Sequence, residues 1–311
     1  MSVKVSSAHT VQRANGIVFT LGLFVSSLRP WEWIKNAFIF AALFFSKNLL
    51  NPTLFAKTLL AFGLYCLVAG GVYVLNDIWD RDADKKHPQK SVRPIASGAL
   101  PVAVAAPGGV FVLSIAVSLA FLLNPSFGII IASYVVLNIM YSLWLKHLVI
   151  LDVFSIATGF VLRVVAGAVV IDVVISHWLL VCTLLLALFL GFTKRRYEVV
   201  SLSNDTTGHR RVLAEYNPAF LDIMIGIVTS ATVVAYTLYT VSPETIQRYN
   251  TDRLLLTVPF VLYGIFRYLY IVYHKHQGWN PAHALLTDVP ILINVFLWGI
   301  VSGLILYTGT P

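Results

Sequence analysis

The sequence predicts an all-α integral membrane protein built as a bundle of nine transmembrane helices. Three observations carry that reading. Only 12% of the 311 residues are charged and 58% are apolar, against roughly a quarter charged in soluble domains. The mean hydropathy is +0.80, and the apolar residues gather into stretches of about 17 to 25 residues, the length an α-helix needs to cross hydrocarbon. None of these stretches shows the ten-residue alternation of a membrane β-barrel, so the backbone in lipid must satisfy its own hydrogen bonds within helices.

The first apolar run, Ile17 to Leu28, is too short to span. It lacks the basic flank and small-residue cleavage site of a secretory signal, and is expected to lie at the interface within a cytoplasmic segment over 1–30. The spans are expected over 34–50, 53–75, 102–123, 126–143, 150–172, 176–193, 219–241, 254–273 and 286–308, all within a single membrane domain covering 1–311. The first span is the shortest.

Basic residues orient the bundle, because Lys and Arg are retained on the cytoplasmic side of short loops. With nine spans, the N-terminal segment and the loops after spans 2, 4, 6 and 8 share one side and hold most of the Lys and Arg, among them Arg29, Lys35, Arg81, Lys90, Arg93, Lys146, Lys194, Arg195, Arg196 and Arg267. The N-terminus is therefore expected in the cytoplasm and the C-terminus outside, in the plasma membrane. The net charge of +8 concentrates on one face, where it suits anionic headgroups or substrates as well as topology. Cys66 and Cys182 read as small core residues. No phosphate-binding glycine loop, HExxH or low-complexity segment is present, and no nucleic-acid binding is expected. The sequence leaves homo-oligomer formation open.

Two long loops on the same side, 76–101 and 194–218, carry the candidate chemistry. The first begins "NDIWDRDADKKHPQKSVRPIASG". Asp77, Asp80 and Asp84 stand at i, i+3 and i+7, so a continued helix places them on one face, with Asn76 four residues before Asp80. Stacked carboxylates repel unless a cation neutralises them, and hard oxygen ligands suit Mg²⁺ shared with substrate phosphates. Asp82 points elsewhere. Lys90 and Arg93, in a loop stiffened by Pro88 and Pro94, form a plausible phosphate clamp. The alternative is an exposed loop of mutual ion pairs, each worth about 0 to 1 kcal/mol.

Read as NDxxDxxxD followed by "HPQKSVRPIASG", this stretch resembles the first aspartate-rich motif of the UbiA-type intramembrane prenyltransferase superfamily. The resemblance implies a nine-helix bundle around a central cavity, and Mg²⁺ held by Asn76, Asp77, Asp80 and Asp84 against a diphosphate, with Asp77, Asp80 and Asp84 as catalytic residues. Typical members carry a second acidic motif after span 6. This chain instead reads "GFTKRRYEVVSLSNDTTGHRR", placing Lys194, Arg195 and Arg196 there with Glu198 beside them, while Asp205 has no acidic partner at i+4. Either these cations are a membrane-edge cluster, or they bind further phosphate groups directly.

Other pieces resemble one branch of that superfamily: "LRPWEWIKN" with Lys35 and Asn36, "YSLWLKH" with Tyr141 and Lys146, "GFVLRVVAG" with Arg163, and later segments with Tyr216, Arg267 and Asp288. A span arginine such as Arg163 lines a wet cavity or pairs with a structural acid, Asp152 or Asp172 being the candidates. In that branch the donor is 5-phosphoribosyl diphosphate and the acceptor a polyprenyl phosphate, which implies a membrane glycosyltransferase serving cell-envelope precursor synthesis. Two rivals stand beside it, a prenyltransferase acting on an aromatic acceptor and a non-enzymatic transporter or lipid-binding protein.

Overall fold

The computed structural model describes residues 16, 18–86, 90–202, 211–274 and 286–308. Expectations that fall on Pro88 and Asp205 lie outside these. The helices, in chain order, are α1 (Val18–Ser27), α2 (Phe40–Phe45), α3 (Pro52–Trp79), α4 (Arg81–Lys86), α5 (Val102–Leu123), α6 (Pro125–Leu143), α7 (Leu151–Val170), α8 (His177–Leu202), α9 (Arg211–Glu215), α10 (Pro218–Val241), α11 (Pro243–Tyr249), α12 (Val258–His274) and α13 (Val289–Thr308). No strand occurs among the described residues. Eight helices there are long and apolar enough to cross a membrane, and they coincide with the second to ninth expected spans. The run expected at the interface is the short helix α1.

The first expected span differs. Residues Pro30–Ile39 form a ten-residue 3-10 helix, followed by the six residues of α2. A 3-10 helix rises about 2.0 Å per residue against about 1.5 Å in an α-helix, so this short segment stretches to nearly the ~30 Å of the hydrocarbon layer. Two ties hold it in that form. Arg163 Nε on α7 donates to Asn36 Oδ1 at 2.7 Å, and Gly167 lets α7 meet its backbone, since a Cβ there would fall 1.9 Å from the Ile39 carbonyl oxygen. Gly167→Ala is therefore expected to force the two backbones apart, at about 1–3 kcal/mol, seen as a lowered melting temperature of the purified protein. An unchanged melting temperature would mean that the contact yields freely.

Contacts divide the chain into two compact units, 1–33 with 63–135, and 34–62 with 136–311. In the first, Leu28, Val74, Ile95, Leu100 and Ala105 form a core beneath the first charged loop, with Phe24, Trp33 and Ile78 packed on it. In the second, α8 packs against α7 and α10. Its core repeats at helical spacing, with Val153 and Ala157 from α7, Leu188, Phe189 and Phe192 from α8, Leu221, Ile225 and Val228 from α10, and Ile265 and Tyr268 from α12. Helix α10 starts where sequence chemistry dictates, as the Asn217 side chain accepts from Phe220 N at 2.7 Å and Pro218 follows. Cys66 and Cys182 are free thiols, buried and half-buried.

Candidate functional site

The acidic motif occupies the end of α3 and the start of α4. A turn at Asp80 separates the helices, yet Asp80 N bonds Asn76 O at 2.9 Å and Asp84 N bonds Asp80 O at 2.8 Å. Helical register thus continues across the turn. Asp77 and Asp84, seven residues apart, consequently share a face and are both buried. One nitrogen, Arg93 Nη1, lies 3.1 Å from Asp77 Oδ1 and 2.6 Å from Asp84 Oδ2. Lys90 Nζ is 4.0 Å from Asp84 Oδ1. Asp82, with a side chain 91% exposed, lies 3.4 Å from Lys85, in keeping with the expected outward direction. Asn76 and Asp80 are half-buried and make further polar contacts.

The loop that delivers Arg93 is tied down locally. Ser97 N bonds Arg93 O at 2.8 Å, Leu100 N bonds Pro94 O at 2.8 Å, and Ile95 and Leu100 anchor it in the core. Gly98 turns the chain at φ +82°, a conformation glycine adopts without a Cβ penalty. Arg29 completes the cluster by donating to Asp77 Oδ1, with its guanidinium 4.8 Å from the Tyr73 ring. Its own backbone is left-handed, φ +53°, an unusual state for a non-glycine residue that surrounding structure must hold. Sequence reasoning counted Arg29 only as a topology signal, and the Pro30 that follows it was the one hint of a special backbone position.

Carboxylate oxygens and an amide oxygen are the hard donors a divalent cation such as Mg²⁺ takes. That Asp77 and Asp84 converge on one cationic nitrogen shows that their oxygens can address a single positive centre, so the donor set fits such an ion in kind. Among the described residues, no three carboxylate, histidine or cysteine side chains already cluster closely enough to hold a metal. The two buried carboxylates are instead engaged by Arg29 and Arg93.

In the second unit the basic motif lies near the end of α8, and its three cations differ. Arg195 is buried: Nε donates to Asp152 Oδ2 at 2.6 Å, Nη1 donates to Glu198, and Nη2 reaches Tyr141 Oη at 3.3 Å. Asp152, wholly buried, also accepts from the Tyr216 hydroxyl at 2.7 Å, and that hydroxyl accepts from Ile150 N at 2.7 Å. Burial, and then the bond to Asp152, hold the Tyr216 phenol above its ordinary pKa, so it remains a donor at any physiological pH. Arg196 donates to Asp222. Lys194 is the accessible member, with 39% of its side chain exposed. It lies 3.9 Å from Glu198 and within electrostatic range of another cation, Lys35.

The remaining candidates lie elsewhere in the second unit. Arg163 bonds Asn36 and, through Nη1, Gly159 O at 2.8 Å. It pairs with neither Asp152 nor Asp172. Arg267 makes a two-point contact with Asp288, at 2.9 and 3.0 Å. Lys146 is buried and has polar contacts of its own. In the sequence Asp152 reads only as a partner for Arg163. Its signal in the sequence was a lone acid opening an apolar span, which leaves the identity of the partner open.

A multi-pass helical fold with hard-oxygen and basic side chains gathered at helix ends defines a membrane-embedded enzyme. Residues 36–308 match the UbiA prenyltransferase family, and the chain belongs to that family. It is 28% identical to the decaprenyl-phosphate phosphoribosyltransferase of Corynebacterium glutamicum, over 88% of this chain and 83% of that one. It is 31% identical to the enzyme of the same name from Mycolicibacterium smegmatis, over 71% and 70%. The fold is similar to that of a UbiA homolog from Archaeoglobus fulgidus bound to GPP and Mg²⁺, with a TM-score of 0.68, 17% identity, and coverage of 92% of this chain and all of that one.

Proposed function

We propose that the protein transfers the 5-phosphoribosyl group of 5-phosphoribosyl diphosphate to a polyprenyl phosphate, releasing diphosphate, in the plasma membrane with its basic loops in the cytoplasm. The observation that carries this reading is Lys194, 39% exposed near the end of α8, where the family resemblance implies a second acidic motif. An accessible cation in place of a carboxylate suits an anion, and a donor charged at both ends of a sugar brings one that a prenyl diphosphate lacks. The names of the relatives support the same class of acceptor and the same transferred group.

Asn76, Asp77, Asp80 and Asp84 would hold Mg²⁺, which when bound offsets the charge that grows on the departing diphosphate. Arg29, Arg93 and Lys90, released from the carboxylates, are placed to take phosphate oxygens. Lys194 and Lys35 would receive the 5-phosphate or the lipid phosphate. A phosphate monoester has its second pKa near 6, so the acceptor oxygen can form the new bond to C1 as the C1–diphosphate bond breaks, with the electron pair leaving on diphosphate. No protein base is required for that step.

The test is an assay of membranes with labelled 5-phosphoribosyl diphosphate and polyprenyl phosphate. A labelled lipid that disappears on chelation of Mg²⁺ is expected. Prenylation of 4-hydroxybenzoate from geranyl diphosphate, without phosphoribosyl transfer, would overturn the assignment. Lys194→Gln is expected to raise KM for one of the two phosphorylated substrates about 10- to 100-fold, the equivalent of one charge-assisted hydrogen bond. If both KM values stay put, Lys194 binds neither.

A further inference from the structure

We propose that the groove between α10 and α12 is a binding site for a phospholipid with an ammonium headgroup, phosphatidylethanolamine in kind. This site is distinct from the transfer chemistry and rests on the second unit alone. The groove is open along its length and has a volume of about 550 Å³. Asp222, Ile225, Gly226 and Thr229 line it from α10 at helical spacing, and Phe266 and Leu269 face them from α12. A Cβ at Gly226 would meet nothing within 4 Å, so the space is open there.

The head of the groove is polar in a particular way. Asp222 Oδ1 accepts both from Arg196 Nε and from the Tyr273 hydroxyl, whereas Oδ2 takes no hydrogen bond among the described residues, and the Asp222 side chain is 40% exposed. The Arg196 guanidinium lies 3.8 Å from the Tyr273 ring centre. Its bond to Asp222 uses one of five N–H donors. A carboxylate oxygen and a guanidinium therefore stand side by side at the mouth of an apolar channel. They match a headgroup that carries an ammonium next to a phosphate, and the carboxylate disfavours lipids that are anionic only.

Depth along the groove supplies a second signal. Thr229 lies seven residues beyond Asp222, about 10 Å along the helix. Its Oγ1 is buried with no hydrogen-bond partner among the described residues, whereas Thr232 and Thr237 on the same helix donate to the carbonyls four residues back, at 2.6 and 2.9 Å. A buried hydroxyl without a partner is costly, and a lipid ester carbonyl at that depth supplies the acceptor.

The experiment is native mass spectrometry of the purified protein, with melting temperatures, after exchange into detergent containing phosphatidylethanolamine, phosphatidylglycerol or polyprenyl phosphate. Retention of phosphatidylethanolamine, and a melting temperature raised by it and not by the other two, is expected. Asp222→Asn should remove the preference for phosphatidylethanolamine over phosphatidylglycerol. Thr229→Val, which leaves the Asp222 cluster intact, and Gly226→Leu, which fills the open space, should each lower retention tenfold or more. Equal retention of phosphatidylglycerol or polyprenyl phosphate by the wild type, or unchanged retention by both Thr229→Val and Gly226→Leu, would overturn the proposal.

Discussion

Asp77→Asn is expected to lower transfer by about 10²- to 10³-fold, the scale seen when one preorganised electrostatic group is removed from an active site, while the protein remains folded and inserted. Asp77 is buried and accepts from Arg29 and Arg93, so its charge is held in place before any substrate arrives. Asparagine keeps the shape and the two accepting lone pairs but removes the charge that a cation requires. Asp82→Asn is the control, because its side chain is 91% exposed and faces away from the cluster. Turnover should fall for the first and stay constant for the second. Near wild-type turnover of Asp77→Asn at ordinary Mg²⁺ would remove this carboxylate from the reaction.

The second large effect concerns stability. Asp152→Ala is expected to cost about 3–5 kcal/mol, because it removes one of the two carboxylates that balance the buried Arg195 and takes the acceptor from the Tyr216 hydroxyl. The side chains of Arg195 and Asp152 are 2% and 0% exposed, and Glu198, itself 24% exposed, can offset only part of the loss. A double variant, Asp152→Ala with Arg195→Met, should recover part of the stability, since an apolar side chain in place of Arg195 removes the poorly compensated buried charge while Tyr216 and Glu198 still lack their partners. Denaturant titration of the purified variants reads both numbers. A double variant no more stable than Asp152→Ala would show that packing, and not the uncompensated charge, was lost.

Sequence alone determined the spans and one face of the acidic motif, for a local reason. The cost of placing polar groups in lipid acts residue by residue, so apolar runs announce helices α3, α5 to α8, α10, α12 and α13 without any knowledge of neighbours. Helical spacing likewise put Asp77 and Asp84 on one side and sent Asp82 outward. Only the tertiary structure decided which charge meets which. Arg29 reaches Asp77 across 48 residues of sequence, Arg195 reaches Asp152 across 43, and Arg163 reaches Asn36 across 127. A charged side chain in a span signals that it needs a partner, but several partners of equal chemistry were available, and the pairing follows from how helices pack. Packing also stretched Pro30–Ile39 into a 3-10 helix, because the contact of its backbone with Gly167 and the Arg163 tether outweigh the weak local preference for the α form.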